Sequence, residues 1–375
     1  MVANLASLLN AAHTKRLVVK IGSALLVDEG QPRTHWLASL IADIAEARGR
    51  GSEIIIVSSG AIALGAARLG LKRGGRASLA DAQAAASVGQ VALAQLWAEA
   101  LGHHDLTAAQ MLVTLGDLED RRRYLNASAT LDRLIEAGAV PVVNENDSVA
   151  TEEIRFGDND RLAARVAQAA NASGVLLLSD VAGLYDRDPS DSEAQLIERV
   201  EGVTPEIIAM AGEGSGSGLG SGGMRAKLQA ARIAERAGLT LGIIDGRDDH
   251  PLARLRQTGK GTVFLPVRSD TARKSWLGGR LAIEGVLSVD SGCAKALVGG
   301  ASLLAAGLTE VTGDFQRGAL VGLHGPKGER LGQGLVEYSA QECRAILGKR
   351  EGEQEAELGY APRAAVVHRD HMVQG

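Results

Sequence analysis

Cysteine is almost missing from this 375-residue chain: only Cys293 and Cys343 occur, far apart in sequence. That excludes a disulfide framework, a Cys-rich metal site and a paired redox motif, and it fits the reduced thiols of a cytoplasmic protein. Aromatic residues make up 3% of the chain. A large core must therefore be assembled from Ala, Val, Ile and Leu. No apolar run approaches the roughly 18 residues that a membrane span needs. The first residues lack a basic stretch leading into an apolar segment, so no secretory signal is expected. The formal net charge is −5, which leaves no long-range basic field to attract nucleic acid. The chain also lacks a Walker Gly-Lys-Ser/Thr sequence, zinc-ligand spacing, a Ser-His-Asp arrangement, and a Gly-x-Gly-x-x-Gly after its first strand. Its eight histidines are scattered.

What the chain does have is glycine, 47 copies, and short apolar runs in a regular rhythm. Arg16–Ile21, Glu53–Ser58, Ala139–Asn144, Gly174–Ser179 and Leu239–Ile244 read as buried strands. Helical patterns lie near 34–48, 80–101, 118–137, 159–172 and 223–237. Continuous apolar strands alternating with helices predict an α/β fold with a mostly parallel sheet covered on both faces. Each predicted strand runs into small or polar residues: Gly22-Ser23, Ser58-Ser59-Gly60, Asn144-Glu-Asn-Asp147, Ser179-Asp180 and Asp245-Gly246. One such end is an ordinary turn. Five of them, delivered to one edge of a parallel sheet, predict a ligand site.

The texture changes after Leu265. Residues 266–276 read as a polar linker. Gly285–Val289, Ala319–Leu323 and Gly334–Tyr338 then read as short strands of a small, mostly β domain. Glu351, Glu353, Glu355 and Glu357 read as a solvated surface loop. The expected boundaries are 1–265 for the first domain, 277–363 for the second, and 364–375 for a tail.

Three sequence features can carry chemistry. Gly212 to Lys227 is Gly- and Ser-rich and runs straight into a helical pattern. Such a loop can turn backbone N–H groups towards a phosphate, with Lys227 adding charge, although a Gly/Ser tract also suits a linker. Lys20 stands inside an apolar strand just before Gly22. It either reaches a site or snorkels to water. Asn144–Ser148 and Gly157–Asp160 gather Glu145, Asp147, Asp158 and Asp160. Carboxylates of this kind can orient lysines or hold Mg²⁺ through water, and they also form Asx turns and helix caps. Phosphoryl transfer suits this inventory, because it depends on positioning and charge neutralisation more than on a base.

Read in order, these and further strings resemble the glutamate 5-kinases of the amino-acid kinase superfamily, with a C-terminal PUA domain. The strings are Val18-Val-Lys-Ile-Gly22, Ser59-Gly-Ala-Ile62, Gln110-Met-Leu112, Asn144-Glu-Asn-Asp147, Gly157-Asp-Asn-Asp160, Gly183-Leu-Tyr185 and Ser217-Gly-Leu-Gly-Ser-Gly-Gly-Met224. In the second domain they are Ser302-Leu-Leu304, Val311-Thr-Gly313, Arg317-Gly318 and Val367-His-Arg-Asp370. The resemblance spans nearly the whole chain. It departs from the family's pattern at Ser23, Ser58, Ser179 and Ser221, which keep a hydroxyl, and at Ala24, which does not.

The resemblance implies a three-layer α/β/α sandwich plus a PUA-like domain, acting on L-glutamate and ATP. Lys20, Lys227, Asp160 and Asp158 would be catalytic. Ser59, Gly60, Asn144, Asp147 and Asn159 would bind glutamate. Lys20, Gly22, Ser179, Asp180, Ser221, Gly222, Gly223, Met224, Arg225, Ala226 and Lys227 would bind ATP. Mg²⁺ would be held mainly through the ATP phosphates, with no protein ligand assigned. L-proline is implied as a feedback inhibitor, and a homo-oligomer (dimer or tetramer) as the assembly. Acetylglutamate kinase and aspartokinase are the rival activities, without an expected PUA-like tail. RNA binding through the second domain is a further rival. Residues 276–375 carry 10 Lys+Arg against 12 Asp+Glu, whereas an RNA module should be basic.

Overall fold

The computed structural model describes residues 4–149, 158–211, 223–266 and 283–374. The chain separates into two compact units. One comprises Met1–Glu119 with Ala127–Ser269; the other comprises Asp120–Asn126 with Asp270–Gly375.

The larger unit holds strands β1 (Arg16–Ile21), β2 (Val27–Asp28), β3 (Gln31–Pro32), β4 (Glu53–Ser58), β5 (Ala108–Val113), β6 (Val140–Glu145), β7 (Gly174–Ser179), β8 (Arg199–Glu201), β9 (Thr240–Asp245) and β10 (Thr262–Leu265). β2 and β3 form a two-stranded ribbon; the others form an eight-stranded sheet in the order β5-β6-β4-β1-β7-β9-β10-β8. Neighbours are parallel from β5 through β9, and β10 runs antiparallel to β9. This is the α/β, mostly parallel fold that the sequence predicts.

The central strands are apolar throughout because both faces are covered. Along β1, Leu17, Val19 and Ile21 point into one core with Trp36, Leu40, Leu93 and Trp97 from helices Thr34–Gly49 and Leu79–Gly102. Side chains alternate across a strand, so Val18 and Lys20 face the opposite layer. Helices Asp158–Ala169 and Met224–Arg236 pack against each other and lie near β1 and β9, respectively.

Two helices that share a small apolar cluster come backbone to backbone at two glycines. A Cβ on Gly65, in helix Ala61–Leu69, would run into the carbonyl of Ala85; one on Gly89, in helix Leu79–Gly102, would run into the carbonyl of Ala61. Glycine inside a helix costs roughly 0.5–1 kcal/mol against alanine. Backbone-on-backbone contact is what it permits here.

The smaller unit carries β11 (Gly285–Val289), β12 (Leu308–Gly313), β13 (Leu320–His324), β14 (Arg330–Leu335) and β15 (Met372–Gln374), in the order β12-β11-β13-β14-β15. Leu287, Leu297, Phe315, Leu323, Tyr338 and Cys343 lie in its core. Three readings change. The third expected strand, at 334–338, begins earlier, at Arg330, because it pairs with β13 through Gly332 and Gly334. The acidic stretch is not a loop but helix Glu351–Leu358; its Glu353 side chain accepts from the backbone N–H of Arg350, closing a capping box. Residues at the end of the expected tail supply the edge strand β15. Among the described residues, no helix is long and apolar enough to cross a membrane.

Candidate active site

β6, β4, β1, β7 and β9 are parallel and consecutive across the sheet. Their carboxyl ends therefore share one edge. The strand ends and the turns that follow them carry Gly22, Ser59 and Gly60, Asn144 and Asp147, Ser179 and Asp180, and Asp245. The five polar strand ends are brought together as the rhythm of the sequence predicts, at the position where open α/β sheets hold ligands.

The strongest feature is ionic and buried. Lys20 Nζ lies 2.6 Å from Asp160 Oδ1, and Lys227 Nζ lies 3.2 Å from Asp160 Oδ2. Exposure is 6% for Lys20, 5% for Lys227 and 0% for Asp160. Lys20 is therefore not a strand-end residue reaching for water. Strand alternation turns it towards the layer that holds Asp160, in the first turn of helix Asp158–Ala169. A carboxylate is favoured there by the helix's positive end. Lys227 comes from the first turn of helix Met224–Arg236, whose preceding residue, Gly223, supplies no side-chain cap. The leading N–H groups of that helix therefore have no capping side chain from Gly223.

Burial and the charges of the cluster act against each other. Burial lowers the pKa of Lys20; the charge of Asp160 works against this, and that of Lys227 adds to it. For Asp160, burial pushes the pKa up. The charges and hydrogen bonds of the two lysines outweigh it, and the carboxyl stays below its ordinary value. Asp160 thus stays ionised down to acid pH, and its stabilising share is lost only as pH falls through that depressed value. One carboxylate shared by two lysines leaves this buried cluster with more cationic than anionic groups, which suits a polyanion.

A second, amide-based cluster adjoins the first through the chain itself. Asn159 Nδ2 donates to Ser59 Oγ at 2.6 Å, with the carbonyl of Ser58 and Oδ1 of Asn144 both at 3.3 Å. Gly60, with φ of +111°, turns β4 sharply into helix Ala61–Leu69. Ser58 itself serves the fold, since it is fully buried and its hydroxyl accepts from Trp97 Nε1 at 2.9 Å. Ser179 Oγ donates to Asp180 at 3.1 Å, and Asp180 adds to the field at Lys20.

The remaining expected residues divide. Gly22 borders Lys20 and is open enough for close approach. Met224, Arg225 and Ala226 form the first turn around Lys227. Asp147 is half-buried and acts electrostatically on Arg76. Ser221, Gly222 and the side chain of Asp158 lie outside the described residues. Sequence reasoning missed Gln90, which accepts from Asn144 Nδ2 at 2.8 Å. The neighbouring mid-helix Gly89 was the available signal, because a glycine inside an Ala-rich helix marks a close approach.

The chain is similar to known proteins along nearly its whole length. The amino acid kinase family matches residues 15–245, and the PUA domain matches residues 285–358. The glutamate 5-kinase of Novosphingobium aromaticivorans is 62% identical over 99% of both chains. That of Sphingopyxis alaskensis is 61% identical over 98% of this chain and 99% of its own. That of Zymomonas mobilis is 54% identical over 96% of this chain and 91% of its own. With a family match across more than half its length and relatives this similar from end to end, the chain belongs to the amino acid kinase family, in its glutamate 5-kinase group.

Proposed function

We propose that this chain transfers the γ-phosphoryl group of ATP to the side-chain carboxylate of L-glutamate, giving L-glutamyl 5-phosphate, the first step of proline biosynthesis from glutamate. The observation that carries the proposal is the buried Lys20–Asp160–Lys227 cluster beside the Ser59–Asn159–Asn144 cluster. The first suits phosphates; the second suits the amino-acid end of a substrate.

In this reading Asp160 takes no proton. It holds the two ammonium groups on either side of the place where charge develops. Lys20 and Lys227 neutralise the transferring phosphoryl group and the leaving ADP, and anionic phosphates near Lys20 favour its charged form. The backbone at Gly22 and at Gly223 to Ala226 borders the phosphates, with Ser179 and Asp180 on the nucleotide side. Ser59, Gly60, Asn144, Asp147 and Asn159 orient glutamate so that its γ-carboxylate attacks in line. Among the described residues no three His, Cys, Asp or Glu side chains gather to hold a metal, and Asp160 is committed to the lysines. Mg²⁺ would arrive on the ATP phosphates, where it would offset their charge. L-proline shares the α-carboxylate and an amine but lacks the γ-carboxylate. It would therefore occupy the amino-acid end and raise the apparent glutamate KM. A cytoplasmic homo-oligomer, dimer or tetramer, completes the proposal.

The test is ADP release from ATP and Mg²⁺ with L-glutamate, N-acetylglutamate and aspartate compared. L-glutamate should be turned over best. Equal or faster turnover of either rival would overturn the assignment.

A further inference from the structure

The geometry points to Gln90 as a positioning residue that fixes the direction of the Asn159 amide and so prepares an acceptor for the substrate's α-ammonium group. This rests on the reading of the Ser59–Asn159–Asn144 cluster as the amino-acid end of the site.

The argument follows the amides in sequence. The backbone N–H of Glu145 donates to Asn144 Oδ1 at 2.9 Å, and Asn144 Nδ2 donates to Gln90 Oε1 at 2.8 Å. With both ends engaged, Asn144 cannot flip without setting a donor against a donor. Its Oδ1 is therefore the face shown to Asn159. Asn159 must answer with its NH₂, which also donates to Ser59 Oγ at 2.6 Å. Its own Oδ1 is then turned away from all three partners. That oxygen is buried and has no hydrogen-bond partner among the described residues. A buried acceptor is costly to leave unmade, and Asp160, the next residue, already serves the lysines. A ligand carrying several N–H donors and a positive charge would satisfy it; the α-ammonium of an amino acid is such a group.

Gln90 is placed for this by the helix crossing. Gly89, the residue before it, is where helix Leu79–Gly102 comes against the backbone of helix Ala61–Leu69, which itself starts at the site residue Gly60. Gln90 is therefore delivered by a contact between backbones, which side-chain rotamers cannot loosen.

Gln90→Met keeps length and helix preference but removes the acceptor; Gln90→Glu keeps an acceptor oxygen. The expected pattern is a rise of about tenfold in glutamate KM for Gln90→Met, as loss of a hydrogen bond to a charged group would give. The ATP KM and kcat should change little, and Gln90→Glu should restore most of the glutamate KM. Glutarate, which lacks the ammonium, sharpens the test: its inhibition constant should be the same for wild type and Gln90→Met. An unchanged glutamate KM, equal rises for glutamate and ATP, failure of Gln90→Glu to rescue, or a matching loss for glutarate would each overturn the role. Thermal melts of all variants identify misfolding, and Gln90→Ala substitutes if the Met variant does not fold. If wild type does not turn over glutamate, the proposed function falls and this inference with it. If it does and only the variant pattern is absent, the inference alone falls.

Discussion

In the larger unit the polar side chains withdrawn from water include Lys20, Lys227, Asp160 and Asn144, gathered at one sheet edge; in the smaller unit, among the described residues, they are Gln354 and His371. Gln354 simply ties its helix to the carbonyl of Lys349. The two units thus bury polarity to different ends. Taking three charges out of water is expensive, and replacing a buried ion pair by apolar residues is often neutral or stabilising. A fold would keep such a cluster for what it does to a ligand. The smaller unit keeps its charges nearer the surface, with the half-buried Arg317–Glu337 pair as its nearest counterpart, and its core gathers Leu287, Phe315, Leu323, Tyr338 and Cys343.

The contrast is open to direct attack. Lys20→Ala and Lys227→Ala should each lower turnover by roughly 10²-fold or more, as loss of transition-state charge contacts does. Steady-state kinetics with a melting curve check this, and near-normal turnover in either variant would reduce that lysine to a structural partner of Asp160. Next in size is Gly89→Ala. An added methyl meets backbone at the helix crossing, so overpacking should cost about 1–3 kcal/mol and lower the Tm, with a rise in glutamate KM as Gln90 is displaced. A Tm that holds or rises would mean the crossing is loose, since alanine otherwise favours a helix. The smallest effect belongs to the smaller unit. Burial pushes Cys343 up to about 12 and Cys293 up to about 11, so at pH 8 both are thiols and react poorly. Labelling with a thiol reagent should be slow in the native protein and complete in denaturant, with kinase activity unaffected by whatever native labelling occurs. Rapid native labelling of Cys343 would show that this core opens far more readily than its packing suggests.

How much of this was legible in the sequence follows the same division. β1, β4 and β7 are read to the residue, because a strand buried on both faces is a continuous apolar run. β5, at the sheet edge, is Ala-Ala-Gln-Met-Leu-Val, which has no such run. β8 and β10 are too short to show a period, and helix Ala61–Leu69 hides behind the turn residues that open it. Lys20 stands out as a charge in an apolar strand, but only its place in the alternation, together with helix Asp158–Ala169, pairs it with Asp160. Gln90 could not be linked to Asn144 from spacing, since the bond joins residues 54 apart. The smaller unit was read more loosely because its strands are short, and because an acidic run signals solvent exposure without distinguishing a helix from a loop.

The helix crossing at Gly65 and Gly89 also bears on how this site can change over time. Most packed positions drift in pairs: one side chain grows, its neighbour shrinks, and the fit survives. At this crossing the neighbours are backbone carbonyls and amides, which no substitution can shorten. An enlarged residue at either glycine has no partner able to give way, so the compensating route is closed and reversion is the direct way back. The cluster of Ser59, Asn159 and Asn144, proposed as the amino-acid end of the site, is thus anchored to a contact that cannot be traded away by a neighbouring substitution.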